Sequence, residues 1–337
     1  MPAGIIMPLT QASQLAPLVI AGGLQTPLVR ALGLNFDQNG FPTGVRDIEL
    51  LNSPAFTVAS VPDLGDAEDL GTSTQETLTW EPFTTPQTPQ SQCIHFFKYD
   101  ISSTQLSQSI NPTTIFPAEQ MVSGNRFVDT SRATLMDPYS YDKRKGLAII
   151  AQKMEWVMLN SVMQIPSTDT EKWRGQGIVN GCLNVIDAAL TELTSDMLME
   201  LSLLVPPMAD PVLFVTSAFF PQLKNYTIPA ANVGIFSQPM TYISLTTQPV
   251  KVVIDPFLQE NTIVLMDLAK CRMSFIQTRY TDDMGNQQFN DIIFDTRETS
   301  KKTGAVEGRI GAYMALNPGS FSYHAVLKNV LPQGTLP

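Results

Sequence analysis

The chain has 337 residues and a net charge of −10, and 43% of its residues are hydrophobic while only 15% are charged. That charge argues against a nucleic-acid-binding surface, which draws on clustered Lys and Arg. The charged fraction lies below the usual value of about a quarter, and a neutral surface of this kind is often buried against partners.

The cysteines and the N-terminal stretch indicate the compartment. Cys93, Cys182 and Cys271 are odd in number and far apart, which fits a reducing compartment without a disulfide framework. The first basic residue is Arg30, and prolines interrupt the apolar stretch before it, so neither a signal peptide nor a membrane span is predicted. We expect a protein made in the cytoplasm of its host, without membrane contact.

Residues 1–65 predict an extended N-terminal arm, because they are rich in Pro, Gly and Leu and show little periodicity. Within the arm, Thr26 can cap a short helix that has Pro27 at its first position and Gly33 as its stop. An arm of this composition cannot bury itself, so we expect it to dock on another surface. Thr26, Pro27 and Leu28 are the arm residues that would make this docking contact.

Residues 66–112 predict a long β-hairpin loop. Two strand-like runs, at 76–83 and 92–101, flank a tip that contains two prolines and no charge. Because an isolated hairpin is marginally stable in water, this loop needs a surface to lie on. The side chains expected to make this contact are Trp80, Phe83, Pro86, Pro89 and Phe96.

The most regular helical pattern spans 138–163, and we call it the spine helix. Asp137 is its predicted N-cap, and Pro166 follows its end. The apolar residues that recur on one face are Ile150, Met154, Val157 or Met158, and Val162. Glu155 is predicted to be a surface carboxylate that pairs with a neighbouring arm or subunit.

Downstream, the pattern changes from mixed helix and strand to strands. Residues 177–186 are expected to form a short strand or turn, and a second helix is predicted at 190–204, starting at Thr194 or Ser195. Strands are predicted at 212–216, 250–254, 261–267, 271–280, 289–296, 306–316 and 322–330. A hairpin turn at 281–286 joins two of them. This order defines an α+β fold.

The sequence gives little support to catalysis. His95 and His324 are the only histidines, and strand histidines usually have a structural role. The acidic turn at 282–286 lacks the ligand count of a calcium loop, and the glycines match neither a P-loop nor a dinucleotide fingerprint. We therefore predict no catalytic residue, no metal and no cofactor, and a protein that is not an enzyme.

Three stretches carry a resemblance to a known family. They are TPLVRALG at 26–33, KMEWVMLNS at 153–161, and the strand-rich segment 250–276 that continues at 307–329. With the order of elements, they resemble the major capsid proteins of tailed bacteriophages, in particular the SU-ten-like branch. The resemblance implies the Hong Kong 97 fold, an α+β fold with an extended arm, a long hairpin loop, a spine helix and antiparallel sheets.

The resemblance also implies how the chain is divided and what it does. The domains would be the arm at 1–65, the extended loop at 66–112, a peripheral domain at 113–175, an axial domain at 176–250, and strands that return to the peripheral domain at 251–337. The chain would self-assemble through capsomers into the icosahedral head shell of a virion, which encloses double-stranded DNA without specific binding. A portal is implied, together with separate scaffolding or decoration proteins.

Two alternatives stay open at this point. The first is the shell of an encapsulin-like nanocompartment, which has the same fold but contains an enzyme cargo. The second is a cytoplasmic α+β enzyme, for which the sequence shows no cluster of functional groups.

Overall fold

Two β-sheets and one long helix form the framework of the protein. The computed structural model of the chain describes residues 18, 21, 25–36, 42–46, 48–58, 90–103, 113–115, 134–136, 138–168, 171–223, 227–233, 239–245, 248–276, 279–281, 287–289, 293–299 and 306–334. Within this part of the chain, no helix is both long enough and apolar enough to cross a membrane.

The helices and strands alternate along the chain. The helices are α1 Pro27–Gly33, α2 Pro138–Asn160, α3 Ile178–Gly181, α4 Ser195–Leu203 and α5 Phe220–Leu223, and a 3-10 turn covers Phe321–Tyr323. The strands are β1 Leu34–Phe36, β2 Pro42–Val45, β3 Glu49–Leu51, β4 Ala55–Val58, β5 Gln90–Cys93, β6 His95–Ser103, β7 Thr113–Ile115, β8 Thr134–Met136, β9 Asn184–Glu192, β10 Pro211–Val215, β11 Thr227–Val233, β12 Pro239–Leu245, β13 Gln248–Ile254, β14 Ile263–Asp267, β15 Arg272–Ile276, β16 Arg279–Thr281, β17 Gln287–Phe289, β18 Ile293–Thr299, β19 Val306–Asn317 and β20 Ala325–Leu331.

The spine helix is α2, and it ends at Asn160, three residues before the predicted end. The chain leaves the helix because Ser161 turns to the loop before α3: its Oγ donates to Gly175 O at 2.5 Å and its carbonyl accepts from Gly177 N at 2.8 Å. A Cβ at Gly177 would lie 2.6 Å from Ser161 N, so this close approach requires glycine. Val162 therefore lies outside the helix and is 64% exposed. The predicted N-cap, Asp137, lies outside the described residues.

A seven-stranded sheet has the order β11-β12-β13-β10-β14-β20-β9. Its central strands β10 and β14 are buried at every residue, as their continuous apolar sequences predict. Strands β14 and β20 come from the C-terminal segment, so the segment 251–337 contributes to this sheet as well as to the next one. The predicted boundary at 250 falls inside β13.

A second sheet is built around β19, which pairs with β18 and β15 on one edge and with β6 on the other. Strand β15 also pairs in parallel with β3 from the arm. The predicted strand at 92–101 is therefore two strands, of which β6 joins this sheet and β5 pairs with β4. Its expected hairpin partner at 76–83 lies outside the described residues.

The second predicted helix begins where its cap signal places it. Thr194 Oγ1 accepts a hydrogen bond from Met197 N at 3.3 Å, and α4 starts at Ser195. Residues 190–192, at the start of the segment predicted to carry the helix, belong to β9, which pairs in parallel with β20. Strands β16 and β17 form the predicted antiparallel hairpin, and the residues of its turn, 282–286, lie outside the described part.

The described residues form two large hydrophobic cores and a third, small cluster of Leu51, Ile94 and Ala315. The larger core joins Leu28 and Leu32 of α1 and Met154 of the spine helix to the sheet around β19. The smaller core lies between α4 and the seven-stranded sheet and contains Leu201 and Leu213. The spine helix thus lies between the arm and the sheets, where its apolar face is buried.

Candidate functional site

A single buried carboxylate holds the arm helix on the spine helix. Glu155 Oε1 accepts from Leu28 N and Oε2 accepts from Val29 N, both at 2.6 Å. Donors in the first turn of a helix have no partner within the helix, so Glu155 satisfies two groups that burial would otherwise leave unpaired. This polar contact is made to the backbone of α1, and it adds to the packing of the buried Leu28 and Leu32 side chains.

A second carboxylate faces the first one. Asp255 is completely buried and shares a side-chain hydrogen bond with Glu155, and its Oδ1 accepts from Phe257 N at 2.8 Å. Asp255 Oδ2 has no hydrogen-bond partner among the described residues. Two ionised carboxylates cannot hydrogen-bond to each other, so the hydrogen bond between Asp255 and Glu155 requires a proton on one of them. The two acids are thus arranged to share one proton.

The electrostatics of this pair follow from burial. Burial, and then the charge of Asp255, raise the pKa of Glu155 well above its usual range. Burial also raises the pKa of Asp255, and the hydrogen bond from Glu155 offsets part of that effect. Among the described residues, none of the ion pairs involves either carboxyl group. Both acids are closed to solvent, so the pair suits a structural latch rather than catalysis.

After α1, the arm makes further hydrogen bonds with its own subunit. Arg46 Nη2 donates to Leu268 O at 2.7 Å, and Arg46 Nη1 donates to Ala31 O at 3.3 Å. Glu49 Oε2 accepts from Ser274 Oγ at 2.6 Å and from Asn317 Nδ2 at 2.8 Å. The described part of the arm is therefore docked on its own chain.

The spine helix ends in a second polar cluster around Asn160. Its Nδ2 donates to Phe257 O at 2.6 Å, and its Oδ1 accepts from Gln259 N at 3.0 Å. The carbonyl of Asn160 accepts from Asn180 Nδ2 at 2.7 Å. Asp255 lies in this same 255–259 turn, where its Oδ1 accepts from Phe257 N. The turn therefore contacts both Asn160, at the end of the spine helix, and Glu155.

His324 is a structural histidine, as the sequence indicates. Its Nδ1 accepts from Asp267 N at 3.2 Å, so that Nε2 carries the proton and donates to Pro318 O at 2.9 Å. Burial lowers the pKa of His324 to about 4, and the ring is neutral. Cys271 Sγ lies 3.7 Å from Nε2, a neighbour that the sequence does not reveal, but burial raises the pKa of this thiol and leaves it unreactive.

A cleft of about 420 Å³ opens beside the C-terminal half of the spine helix. His95 and Phe97 of β6 form one wall, Lys153 and Trp156 of the spine helix form another, and Arg174 closes the third side. Trp156 is 51% exposed, although the adjacent Glu155 is completely buried.

The predicted contact residues fall into three groups. The prediction that Glu155 is a surface carboxylate is wrong: it is 0% exposed and pairs with the arm of its own chain, because its position faces α1. Thr26, Pro27 and Leu28 are also buried within the chain. Phe96 is 37% exposed, and its ring stacks on Tyr313 with the centroids 4.6 Å apart. The remaining residues lie outside the described part of the chain; they are Trp80, Phe83, Pro86 and Pro89.

The fold defines a class of shell-forming proteins. The capsid of cyanophage A-1(L) is similar to this chain with a TM-score of 0.53 and 12% identity, over 91% of this chain and 93% of that one. The holo-SrpI encapsulin from Synechococcus elongatus PCC 7942 is similar with a TM-score of 0.51 and 13% identity, over 83% of this chain and 84% of that one. The capsid of an empty GTA particle is similar with a TM-score of 0.50 and 11% identity, over 84% of this chain and 87% of that one. The fold is the Hong Kong 97-type capsid fold.

The sequence identifies the family within this class. The family model of the SU10 major capsid protein matches residues 71–330, which is more than half of the chain. The chain belongs to the SU10 major capsid protein family, and it is a structural subunit of a multi-subunit capsid shell. The predicted resemblance is thereby confirmed. None of the curated proteins matches the sequence.

Proposed function

We propose that this subunit forms the icosahedral head shell of a tailed bacteriophage and encloses double-stranded DNA without binding it specifically. The observation that carries the proposal is the family match over residues 71–330. The net charge of −10 supports it, because an acidic wall leaves the neutralisation of DNA to counterions and does not hinder release of the genome.

The extended loop at 66–112 would overlap a neighbouring subunit. Strand β4 pairs with β5 so that Val58 lies opposite Gln90, which brings both ends of the intervening segment together. The buried Gln92 fixes this base, since its Nε2 donates to Gln176 O and Leu316 O, both at 2.9 Å. A rigid base of this kind can present a loop to a neighbour. Its contact residues would be Trp80, Phe83, Pro86, Pro89 and Phe96.

The other domains follow the same proposal. Residues 113–175, with the spine helix, would form the peripheral domain, and 176–250 would form the axial domain at the symmetry axes. Residues 251–337 would return to the peripheral domain, as β15, β18 and β19 support. Thr26, Pro27, Leu28 and Glu155 would contact a neighbour only in an assembly in which the arm leaves its own subunit.

Assembly would take place in the host cytoplasm, with a portal and with separate scaffolding or decoration proteins. Size-exclusion chromatography with light scattering, followed by negative-stain microscopy, tests the shell directly. We expect closed particles of megadalton mass from the purified chain, or from the chain co-expressed with its scaffold. A compact monomer under both conditions would contradict the proposal.

The second candidate is an encapsulin-like compartment, which the likeness to the SrpI encapsulin favours with a TM-score of 0.51. The contents of particles from their natural source discriminate between the two. A phage head would contain nuclease-protected double-stranded DNA of defined length. A compartment would instead contain a co-purifying protein at a fixed ratio to the shell.

A further inference from the structure

The cleft beside the spine helix is positively charged within an acidic protein. Lys153 and Arg174 are exposed at its rim, and no acidic residue lines it. Neither cation has an ion-pair partner among the described residues. Burial is the main cause that lowers the pKa of His95 to about 4, and the nearby charges of Arg174, Lys172 and Lys153 lower it further.

The cleft also offers unused binding groups. His95 Nδ1 is buried and has no hydrogen-bond partner within the described structure. The Phe97 ring lies with its centroid 4.4 Å from that of His95, and the half-exposed Trp156 supplies further apolar surface. A ligand that fits would have carboxylates for the rim and for His95, and apolar side chains for the two aromatic rings.

The chain itself contains a segment of this composition. Residues 47–97 include eight acidic residues and no Lys or Arg, and four of those acids fall between 63 and 69. Leu64 and Leu70 lie within and beside this acidic run. The negative charge of the protein is thus concentrated in one segment, and the cleft has the opposite charge.

We propose that the cleft formed by His95, Lys153, Trp156 and Arg174 binds the acidic segment 63–69 of a second copy of this chain. The direction of β4 favours a second copy. Strand β4 runs antiparallel to β5, so the chain leaves Val58 in the direction away from His95, which lies roughly 16 Å further along the opposite strand. This inference rests on the proposed overlap of neighbouring subunits in a shell.

Complementary charge reversal tests the contact in the full-length chain. The cleft variant is Lys153→Glu with Arg174→Glu, and the segment variant is Asp66→Lys with Glu68→Lys. The assembly threshold is the protein concentration above which particles form. Each variant alone should raise it at least about tenfold, because like charges then meet in the contact. The four substitutions combined in one chain should restore assembly.

Mixing the two variants distinguishes contact between copies from contact within one copy. In an equal mixture, the unchanged acidic segment of one variant meets the unchanged cleft of the other, and the two reversed surfaces also match. We therefore expect the mixture to assemble near the wild-type threshold. Rescue by the combined variant without rescue by the mixture would overturn the second-copy assignment.

A control reverses the same number of exposed positive charges outside the cleft, through Lys145→Glu and Arg272→Glu. The control should assemble at the wild-type threshold, and an equal loss in it would overturn the site. Normal assembly of the cleft variant would also overturn the site, while leaving the shell function intact. Failure of the wild-type chain to assemble would count against the shell function instead.

Binding can also be measured without assembly. A peptide of residues 61–71 is titrated into the unassembled full-length subunit, and the two histidines are followed by NMR. We expect saturable binding that moves the pKa of His95 up from about 4 while His324 does not change. A peptide with Asn and Gln in place of its acids should have no effect. Equal binding of both peptides, or of neither, would overturn the proposal.

Discussion

The side chains of Glu155 and Asp255 contact each other inside the subunit, and Glu155 also accepts hydrogen bonds from the backbone N–H groups of Leu28 and Val29 in the arm helix. The arm, the spine helix and the 255–259 turn therefore meet at this pair of buried carboxyl groups. In a shell protein, such a junction couples the position of the N-terminal arm to the protonation of the core.

Loss of the Glu155 carboxyl group should destabilise the subunit. Glu155→Ala leaves two buried N–H groups and Asp255 Oδ2 without partners, and we expect it to lower the free energy of unfolding by about 3–5 kcal/mol. Glu155→Gln keeps one acceptor and a donor towards Asp255, so about 1–3 kcal/mol is expected. Urea denaturation of the unassembled subunit measures both values. The exposed Glu200→Gln on α4 is the matched control, and a loss in it as large as that of Glu155→Gln would refute the latch.

The latch should weaken at alkaline pH. The pKa of Glu155 in the folded protein lies above its ordinary value of 4.5, so the folded state holds more protons than the unfolded state. This contribution is complete below pH 4.5 and is lost as the pH rises towards the folded-state pKa, at up to about 1.4 kcal/mol per pH unit. Unfolding free energies measured from pH 5 to 9 should fall less steeply in Asp255→Asn. Identical slopes in wild type and variant would show that no proton is shared.

Protonation of His324 should destabilise the fold at acidic pH, whereas the loss of the Glu155 proton does so at alkaline pH. Its folded-state pKa of about 4 lies below the ordinary 6.5, so the unfolded state binds the proton first. The stability that the neutral ring provides is complete above pH 6.5 and is lost as the pH falls through that interval towards 4. The difference in unfolding free energy between wild type and His324→Gln should therefore shrink from pH 7 to 4.5. A difference that stays constant would show that the ring does not titrate in this way.

Deletion of residues 1–62 should prevent folding rather than assembly alone. The deletion removes α1 and β3, and with them the buried Leu28 and Leu32 of the larger core. It also leaves Glu155 without its two donors. Circular dichroism and size-exclusion chromatography should show an aggregated or unfolded chain, whereas a folded monomer that fails only in assembly would contradict the contacts described for the arm.

The tip of the extended loop should matter to assembly and not to folding. Replacing residues 84–89 with Gly and Ser removes Pro86 and Pro89 but keeps the β4–β5 pair, which begins at Gln90. We expect a higher assembly threshold and an unchanged Tm. An equal loss of Tm would place the tip within the subunit instead of at a neighbour.

The sequence predicts the elements whose signals are local. The spine helix is recognised by its periodicity, α4 by the Thr194 cap, and β10 by its apolar run. The sequence indicates only the first residues of β9, within the short strand or turn expected at 177–186, because the strand's alternation is interrupted at Ala189 and Leu190, which both have positive φ. Its parallel partner β20 also lies far away along the chain.

The candidate site is less predictable, because its residues meet only in the tertiary structure. Glu155 stands next to Trp156 in the sequence, yet the helix buries the acid and exposes the indole. Nothing near residue 155 indicates that Asp255 and the backbone of Leu28 lie against it. The pairing of β6 with β19 is equally remote in sequence.

The pairing of Val58 with Gln90 has a consequence for the evolution of the lattice. Since β4 and β5 already hold the ends of residues 59–89 together, doubling the length of this segment adds only about 0.6 kcal/mol of closure entropy. Insertions, deletions and whole replacements there can keep the β4–β5 pair that closes the segment. If this segment contacts a neighbouring subunit, as proposed, the shape and size of a particle can diversify through it while the rest of the subunit stays the same.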